Sequence, residues 1–372
     1  MGKNIAFSIS LLVAISSARA QAPKSAPEPD VLVFTDGEKL IGHLVRTTGD
    51  KVTFKSDMAG EVTVEWKKIQ ELHSSQKYAV IRKGVELHRG DPGAQIPRGA
   101  IVVKDQKIEV TGPQSSPQTV PVADTAVIVD EASFEKAFHR PGLLEDWKGS
   151  VTAGASLVEA TQDSTSLSAG LSFIRALPQE GWLDPRNRTI VDFSVSYGKV
   201  TQPETPSVKT SIYHADAERD EYFSPRVYGF GELAYDHNFS QGLDLQQMYG
   251  GGIGWTVIKS AKQTLDIKAS MSYVNQEFEA SAQNQNLIAS TFAERYARTL
   301  PHGILLAEQF SVTPAWNNTR AYSGAAGVGL TLPVYKRLSV AVNSLDSFLN
   351  DPPPGFKKNS FQFTTGVAYT LP

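Results

Sequence analysis

Apolar and polar residues alternate along most of the second half of the chain. Between residues 150 and 372 we count about twelve segments of roughly 9 to 14 residues in which every second position is apolar. A period of two is typical of a strand with one apolar and one polar face. Clear examples are IVDFSVSYGKV (190–200), TLDIKASMSYVN (264–275) and the C-terminal NSFQFTTGVAYTLP (359–372). The pattern predicts a sheet of long antiparallel strands.

Three features favour a closed transmembrane barrel over a soluble sandwich. Tilted strands of about 9–11 residues cross a bilayer, whereas globular strands average about 5–6. The polar faces carry small residues and charges that suit a wet lumen, among them Asp192, Lys268, Glu294 and Arg298. Aromatic residues recur near segment ends, as in interfacial girdles: Trp147, Tyr197, Tyr228, Tyr235, Trp255, Tyr273, Trp316, Tyr322 and Tyr369. We expect an antiparallel transmembrane β-barrel of about 12 strands over residues 150–372, closed by pairing of its first and last strands.

Residues 31–130 predict a smaller β-domain made of two similar units. Short alternating runs surround tight turns such as Asp36-Gly37. Four positions of the first unit correspond to four of the second: Gly42, Val52, Val62 and Ile69 match Gly99, Ile108, Val120 and Val127. The differences in length fall in turns, where they cost little. We therefore expect two strongly bent, SH3- or Sm-like units packed into one periplasmic domain.

Residues 131–149 predict a helical linker between the two domains. Phe134, Ala137 and Phe138 have helical spacing, and Pro141-Gly142 ends the run. Two interpretations of the aromatic residues stay open. They rest on a membrane surface, or they pack against the preceding domain.

The N-terminus has the form of a secretory signal peptide. An apolar run from Ile5 to Ile15 follows Lys3, and Ala18-Arg19-Ala20 matches the small-residue cleavage site. We assign residues 1–20 to the signal peptide and the Pro-rich residues 21–30 to a linker. The apolar run is too short for a spanning helix, which needs about 20 residues, and no other stretch qualifies. We expect the mature protein either to be soluble outside the cytoplasm or to form a membrane β-barrel.

Composition limits the chemistry. A net charge of −3 gives no reason to expect nucleic-acid binding, and the absence of cysteine excludes disulfides and a Cys nucleophile. The histidines are scattered without the paired spacing of metal ligands. The run GGGIGW (250–255) is not followed by a helix, so we expect its glycines to thin a strand rather than to hold a phosphate. We predict no enzyme activity and no catalytic, cofactor or metal site.

Two motifs nevertheless carry candidate chemistry. His237 and Ser240, in DHNFSQGLD, resemble the His-x-Ser pair of barrel-embedded lipid hydrolases, but a separation of three places them on opposite faces of a strand. The segment from His214 to Tyr222 is densely charged, and its acidic residues offer oxygen ligands to a divalent cation: Asp216, Glu218, Asp220 and Glu221. We interpret the first motif as an ordinary exposed turn and the second as a solvated turn.

Three stretches of the C-terminal two thirds carry a family resemblance. They are Trp147 with GSVTAGASLVEATQDSTSLSAGLSF, then YDHNFSQGLDLQQMYGGGIGW (235–255), then FLNDPPPGFKKNSFQFTTGVAYTL (348–371). Together they resemble the DUF481 family of outer-membrane proteins, which are described as salt-induced. Gln246 stands where the family usually has Arg, and EATQDST replaces the family's Gly-Asn-Thr turn. The resemblance implies an outer-membrane barrel, preceded in some relatives by a similar β-domain, and it supplies no activity or catalytic residues.

These patterns predict a non-enzymatic outer-membrane barrel that acts as a narrow channel or as a structural or adaptor protein of the envelope. Lumen charges of both signs suggest little ion selectivity. The expected partners are outer-membrane lipid, the barrel-insertion machinery and an unidentified periplasmic protein. The C-terminal strand resembles the insertion signal of barrels, although three residues follow Tyr369. A barrel-embedded lipid hydrolase and a soluble periplasmic β-protein are the alternatives.

Overall fold

The structure is a computed structural model that describes residues 28–85, 96–112, 116–138, 142–158, 163–178, 183–201 and 207–371. It is all-β and divides into two compact units, Met1–Lys136 and Ala137–Pro372. The predicted signal peptide and most of the predicted linker lie outside the described residues. In the part of the chain that is described, no helix has both the length and the apolar character needed to cross a membrane.

The N-terminal unit is a small, barrel-like β-domain. Its strands are β1 (Asp30–Phe34), β2 (Lys39–Thr48), β3 (Lys51–Ser56), β4 (Gly60–Glu65), β5 (Ile69–Arg82), β6 (Arg98–Lys104), β7 (Lys107–Thr111), β8 (Gln118–Pro121) and β9 (Thr125–Asp130). The strand order along the described sheet is β4-β3-β2-β1-β5-β6-β7-β8, and β9 pairs with both β2 and β5. The long β5 is therefore shared by both halves of the domain.

The predicted correspondence between the two units is visible in this sheet. Gly42 near the start of β2 and Gly99 near the start of β6 occupy matching positions, because a Cβ at either residue would overlap the backbone of the next strand. Each unit then turns through a short 3-10 helix, Trp66–Lys68 in the first and Val122–Asp124 in the second. The close approach of two strands at each glycine explains why both units have one there.

A buried polar cluster lies beside the apolar core of this domain. Asp30, which we place in the linker on sequence, is the fully buried first residue of β1. Its carboxylate accepts hydrogen bonds from the backbone N–H of Leu44 at 2.7 Å and from the hydroxyl of Ser74. The Tyr78 hydroxyl lies 3.2 Å from the same carboxylate, and burial raises the pKa of this phenol. Hydrogen bonding compensates for burial of the Asp30 charge. The core consists of Leu32, Phe54, Leu72, Ile101, Ile108, Val120, Ile128 and their neighbours.

Helix α1 (Glu131–Phe138) follows β9 directly. Asp130 caps it, since its Oδ1 accepts a hydrogen bond from the Ser133 N–H at 2.8 Å. Phe134 is 1% exposed, and the Arg98 guanidinium lies 4.6 Å from the centre of its ring. Phe134 therefore packs against the β-domain, and the interpretation that it rests on a membrane surface is wrong. The side chain of Phe138 lies outside the described residues.

Twelve antiparallel strands close the second unit into a barrel. The strands are β10 (Lys148–Val158), β11 (Asp163–Leu177), β12 (Asn187–Thr201), β13 (Val208–Tyr222), β14 (Val227–Asn238), β15 (Leu243–Lys259), β16 (Gln263–Phe278), β17 (Gln285–Thr299), β18 (Leu305–Thr313), β19 (Ser323–Tyr335), β20 (Leu338–Leu349) and β21 (Asn359–Thr370). Each strand pairs with its sequence neighbours, and β10 pairs with β21 from Ser150↔Thr370 to Ala153↔Val367, which confirms the predicted closure and strand count. We name the end that holds Lys148 and Thr370 the terminal end, and the opposite end the distal end.

The outer face of the barrel is mainly apolar. Met271 on β16 and Phe292 on β17 are typical of it, each more than half exposed. Exposed aromatic residues occur on this face toward the distal end (Tyr213, Tyr235, Tyr249, Tyr273 and Trp316) and toward the terminal end (Trp255 and Tyr369). Tyr228, which we assign to a girdle on sequence, is instead fully buried in the lumen. It shares the even-numbered inner face of β14 with Phe230. An aromatic residue near the end of a strand can lie on either face of the barrel wall, so its position along the strand does not predict which face it is on.

Two charged residues that we place in the lumen on sequence lie outside. Glu294 and Arg298 are on the even-numbered face of β17, together with the outward Phe292, so the lumen assignment is wrong for both. Glu308 on β18 also points outward, because its cross-strand partner Tyr296 belongs to the same even-numbered face. A shallow cavity of about 240 Å³ borders these carboxylates, lined by Glu294, Glu308, Gln309, Phe310, Ala326, Gly327, Val328 and Ser344.

Candidate functional site

Every second residue of each barrel strand points into the lumen. On β16 these residues are buried: Asp266, Lys268, Ser270, Ser272, Val274 and Gln276. Strand pairing carries the same face around the barrel, since directly opposed residues lie on one side of a sheet. Apart from Lys148 and Lys259 at the terminal rim, the charged lumen-facing side chains that the structure describes lie on β12, β13, β14, β16 and β17. The lumen therefore has a charged half and an uncharged half, the latter formed by β18 to β21 with β10 and β11.

Arg188 on β12 holds two carboxylates in the charged half, near the terminal end. Its Nε donates to Asp220 at 2.6 Å and its Nη1 donates to Asp266 at 2.8 Å. Because β12 and β16 are four strands apart, the second bond crosses the lumen. The hydroxyl of Thr256 donates to the other Asp266 oxygen at 2.6 Å, and the guanidinium lies 5.1 Å from the ring centre of Tyr228. A planar guanidinium suits this position because it binds two carboxylates and an aromatic face together.

Lys268 forms a second buried ion pair, with Glu218 on β13. Its ammonium group lies 5.1 Å from the ring centre of Phe230. Two residues further along the same face of β16, the hydroxyl of Ser270 donates a hydrogen bond to Glu232 at 2.9 Å. β13 and β14 thus both direct acidic side chains toward β16.

Among the described residues, five buried lumen-facing polar atoms in this half have no hydrogen-bond partner: Glu218 Oε1, Asp220 Oδ1, Tyr228 Oη, Asn238 Oδ1 and Ser272 Oγ. Glu218, Asp220 and Tyr228 are 4%, 0% and 0% exposed. A buried polar atom left unpaired costs roughly 1–3 kcal/mol. The two carboxylate oxygens are therefore suited to accept a hydrogen bond from a donor or to contact a cation.

The charges become more accessible toward the middle of the barrel. Arg295 on β17 lies 3.8 Å from Asp192 on β12, a second contact across the lumen. His214 lies between two carboxylates, with Nε2 2.9 Å from Asp216 and Nδ1 2.6 Å from Asp236. Carboxylates only accept hydrogen bonds, so a ring protonated on both nitrogens satisfies both contacts. All five side chains are partly exposed, which places them at the border of the packed region.

Glycines on β15 leave space beside the barrel wall for the large side chains of the charged half. Gly254 points into the lumen, and a Cβ there would overlap the ring of Tyr228. At Gly250 a Cβ would lie 3.2 Å from Glu232 Oε1. The run GGGIGW thus thins the barrel wall, as the sequence predicts, and it lets the Tyr228 ring lie close to the strand.

Solvent reaches part of the uncharged half of the lumen, although Ser339, Ala341 and Ala368 near its terminal end are buried. Its walls carry small or uncharged residues, including Ser168, Gly170, Ser311, Ala325, Gly327, Gly329, Thr364 and Gly366. Several inward side chains on this side are nevertheless exposed: Ser166, Ser172, Ala307, Gln309 and Asn343. A lumen-facing side chain is exposed only where solvent reaches the interior. The two contacts from β12, to Asp266 and to Arg295, separate this open side from the packed side.

The turn between β14 and β15 crosses the distal end of the barrel. Its residues 239–242, which we call the distal crossbar, include Gln241, which is 4% exposed. The Gln241 Nε2 donates to the carbonyl oxygens of Ser347 at 3.0 Å and of Lys358 at 2.7 Å. These acceptors lie at β20 and just before β21, on the opposite side of the barrel. Leu243, Phe278 and Leu349 pack together beside the crossbar.

The structure does not bring His237 and Ser240 together as a catalytic pair. His237 is on the outer face of β14, with Nε2 2.9 Å from Ser211 Oγ and Nδ1 2.7 Å from the Asp244 carbonyl oxygen. Ser240 belongs to the distal crossbar. Within the described ranges, no group of three or more His, Asp or Glu residues is arranged to hold a metal ion.

The acidic segment from His214 to Tyr222 is not a solvated turn. It is the second half of β13, and its even-numbered residues point into the lumen, while Glu221 pairs with Arg219 outside at 2.7 Å. The turn interpretation is wrong because polar residues alternate with alanine in this segment, His-Ala-Asp-Ala-Glu, and a period of two is typical of a strand even where the charge is dense. The sequence does not indicate that Arg188 binds two carboxylates in the lumen, because its partners lie 32 and 78 residues away and no local pattern connects them.

Fold and lumen define the class: an antiparallel twelve-stranded β-barrel with an apolar outer face and a polar, half-packed lumen, preceded by a small β-domain. Residues 151–371 match the model of a protein family described as "Protein of unknown function, DUF481". The match spans more than half of the chain, and the protein therefore belongs to the DUF481 family, as the resemblance implies. No curated protein sequence matches the chain.

Solved structures of other barrels are similar at low sequence identity. The NanC porin shares 8% identity, with 60% of this chain and 100% of that chain covered and a TM-score of 0.36. The COG4313 outer membrane channel from Pseudomonas putida F1 shares 13%, with 63% and 100% covered and a TM-score of 0.36. The translocator domain of autotransporter NalP from Neisseria meningitidis shares 11%, with 60% and 87% covered and a TM-score of 0.33.

Proposed function

We propose that the protein is a narrow channel of the outer membrane that passes small polar solutes through the uncharged half of its lumen. The observation that carries the proposal is the set of exposed side chains that point into the barrel, such as Ser172, Gln309 and Asn343. A barrel of this strand number lies between small barrels filled by side chains and open porins. The packed charged half narrows the passage further.

The outer face supports placement in a membrane. It is largely apolar, and its exposed Trp and Tyr residues suit the two membrane interfaces. We propose that outer-membrane lipid surrounds this face and that the barrel-insertion machinery assembles it. We further propose that the β-domain lies in the periplasm, where it meets a partner protein. The proposal assigns no catalytic step to any residue and no binding to nucleic acid.

The test is conductance of the purified protein in planar lipid bilayers, with a matched pair of variants on β11. Ser172→Trp places a large ring in the open half of the lumen, whereas Leu171→Trp places the same ring on the outer face one residue away. We expect conducting channels from the parent and from Leu171→Trp, and a clearly lower conductance from Ser172→Trp. Equal conductance of both variants, or no conductance from the parent, contradicts the channel.

Cell fractionation tests the location. A band in outer-membrane extracts whose gel mobility changes on heating is expected of a closed barrel. Recovery of the full chain only in the soluble fraction contradicts it and favours a soluble periplasmic protein.

A further inference from the structure

The lumen carries more negative than positive charge. Apart from Lys148 and Lys259 at the terminal rim, the described lumen-facing side chains include three permanent cations, Arg188, Lys268 and Arg295, together with His214. Seven carboxylates face them: Asp192, Asp216, Glu218, Asp220, Glu232, Asp236 and Asp266. With His214 counted as charged, the interior holds three more carboxylates than cations, and one more when both rim lysines are included. The expectation of little ion selectivity, drawn from charges of both signs, does not take this surplus into account.

We propose that the lumen binds and passes small cations in preference to anions. The proposal rests on the proposed channel function and names the charge class of its solutes. Asp192, Asp216 and Asp236 have side chains that are 27%, 17% and 28% exposed, so they are available to a solute in the open half. Rings and clusters of carboxylates select cations in other channels by the same electrostatic attraction.

Unpaired oxygens behind these carboxylates supply an independent observation. Among the described residues, Glu218 Oε1 and Asp220 Oδ1 are buried acceptors without a hydrogen-bond partner, and the fully buried Tyr228 hydroxyl on the neighbouring strand β14 has none either. All three atoms face the interior, where a cation or an ammonium N–H would satisfy the acceptors. An anion would instead increase the number of unpaired acceptors in this half.

The chemistry of the site favours a loosely held monovalent cation or an alkylammonium group. The described carboxylates do not converge on a single point as a chelating site would, since no group of three is placed to hold a metal ion. Their charges are instead spread along the lumen, from Asp266 near the terminal end to Asp236 near the distal end. Such spacing lets a cation enter and leave, which conduction requires.

The first experiment measures the reversal potential of the full mature protein in a planar bilayer under a tenfold gradient of potassium chloride. We expect a cation preference, with a permeability ratio of potassium to chloride above about 3. Asp192→Asn together with Asp236→Asn should lower this ratio at least about twofold, and Arg295→Gln should raise it. Glu308→Gln, a carboxylate on the outer face, is the matched control and should leave the ratio unchanged.

A second experiment measures binding without conductance. Ethylammonium chloride replaces sodium chloride at constant ionic strength, and the unfolding temperature of the detergent-solubilised full chain is recorded. A rise for the parent that disappears in Glu218→Gln supports a cation site in the lumen. Conductance without cation preference overturns the inference and leaves the channel standing. Absence of conductance with an ethylammonium effect overturns the channel alone, and absence of both overturns the two proposals.

Discussion

Arg188 and Asp266 belong to strands four apart in the barrel, yet their side chains meet at 2.8 Å across the lumen. Asp220 on β13 binds the same guanidinium at 2.6 Å, so one cation joins three strands. Such a contact fixes the cross-section of a barrel in a way that backbone pairing alone does not, because pairing links only neighbours. The ion pair also marks the border between the packed and the open halves.

Removing this cation should destabilise the barrel strongly. Arg188→Met leaves Asp220 and Asp266 buried without a counter-charge, which is expected to cost about 3–5 kcal/mol. Denaturant unfolding of the full chain in lipid vesicles measures the loss. The control Lys262→Met removes an exposed cation from the turn between β15 and β16 and should change stability by about 0.5 kcal/mol or less. Adding Asp220→Asn and Asp266→Asn to Arg188→Met should restore part of the loss, and equal stability of the two single variants contradicts the prediction.

Gly254 should tolerate no side chain. Gly254→Ala places a Cβ in the space of the Tyr228 ring, so we expect a loss of about 1–3 kcal/mol from overpacking. Gly231→Ala serves as control, because a Cβ at that outward glycine meets no atom within 4 Å. Thermal unfolding of both variants in the same detergent compares them. If Tyr228→Ser added to Gly254→Ala brings no recovery, the ring is not the cause.

Replacing the outward-facing Glu308 by an apolar residue tests whether lipid surrounds the outer face of the barrel. A carboxylate facing hydrocarbon is costly, so Glu308→Leu should raise stability in vesicles by about 1 kcal/mol. In a soluble protein the same change exposes another apolar side chain to water and brings no gain. Unfolding in vesicles gives the answer, with Glu61→Leu on the exposed β4 of the N-terminal domain as control. Lower stability of Glu308→Leu in lipid counts against a lipid-facing position.

Acid should weaken the N-terminal domain partly through Glu71. The hydrogen bond from Lys104 at 3.0 Å, followed by that from His73, lowers the pKa of Glu71 in the folded protein. A carboxyl with a lowered pKa stabilises the fold above its unfolded value of about 4.3, and this contribution disappears as the pH falls through the folded value. Glu71→Gln should therefore unfold at lower denaturant concentration than the parent at pH 7, with the difference vanishing in acid. The fluorescence of a full chain in which Trp66 is the sole tryptophan, the other four being replaced by Phe in both proteins, follows the transition. A difference that persists in acid points to a cause other than charge.

The distal crossbar should loosen when Gln241 loses its amide. Gln241→Leu removes the donors to the carbonyl oxygens of Ser347 and Lys358 and leaves both acceptors without this partner. We expect faster hydrogen exchange at the amides of Lys357 and Glu279, which donate to Ser240 and Gly242 of the crossbar. Gln283→Leu, at an exposed position of another distal turn, is the control. Unchanged exchange in Gln241→Leu shows that the crossbar is held by its apolar neighbours.

Local patterns predict most of the fold because a barrel is built from local pairs. Alternation locates the strands, and sequential hairpins then fix the topology, so the strand number and the closing pair follow. The sequence prediction is wrong about which residues of β17 face the lumen. Phe292 and Glu294 share a face, and the apolar Phe292, not the charge of Glu294, indicates that this face is the outer one.

The composition of the lumen is only partly predictable. Asp192 and Lys268 are assigned correctly to the inner face from alternation alone. The links of Arg188 to Asp266 and of Gln241 to Lys358 join residues 78 and 117 positions apart, and they depend on barrel diameter and strand stagger. These quantities arise from the closed sheet as a whole, so no segment of the sequence encodes them alone.

The seam between β10 and β21 has a consequence for assembly. β10 and β11 pair over eleven residues, as do β20 and β21, whereas the seam has a ladder of four residue pairs. Every other pair in the barrel joins sequence neighbours, so hairpins form with short loops and small entropic cost. The seam alone must bring together residues that are more than two hundred positions apart, and it does so with the shortest ladder. We therefore expect circularisation of the sheet to be the slow, long-range event in folding, and the seam to be the place where the wall opens first under strain.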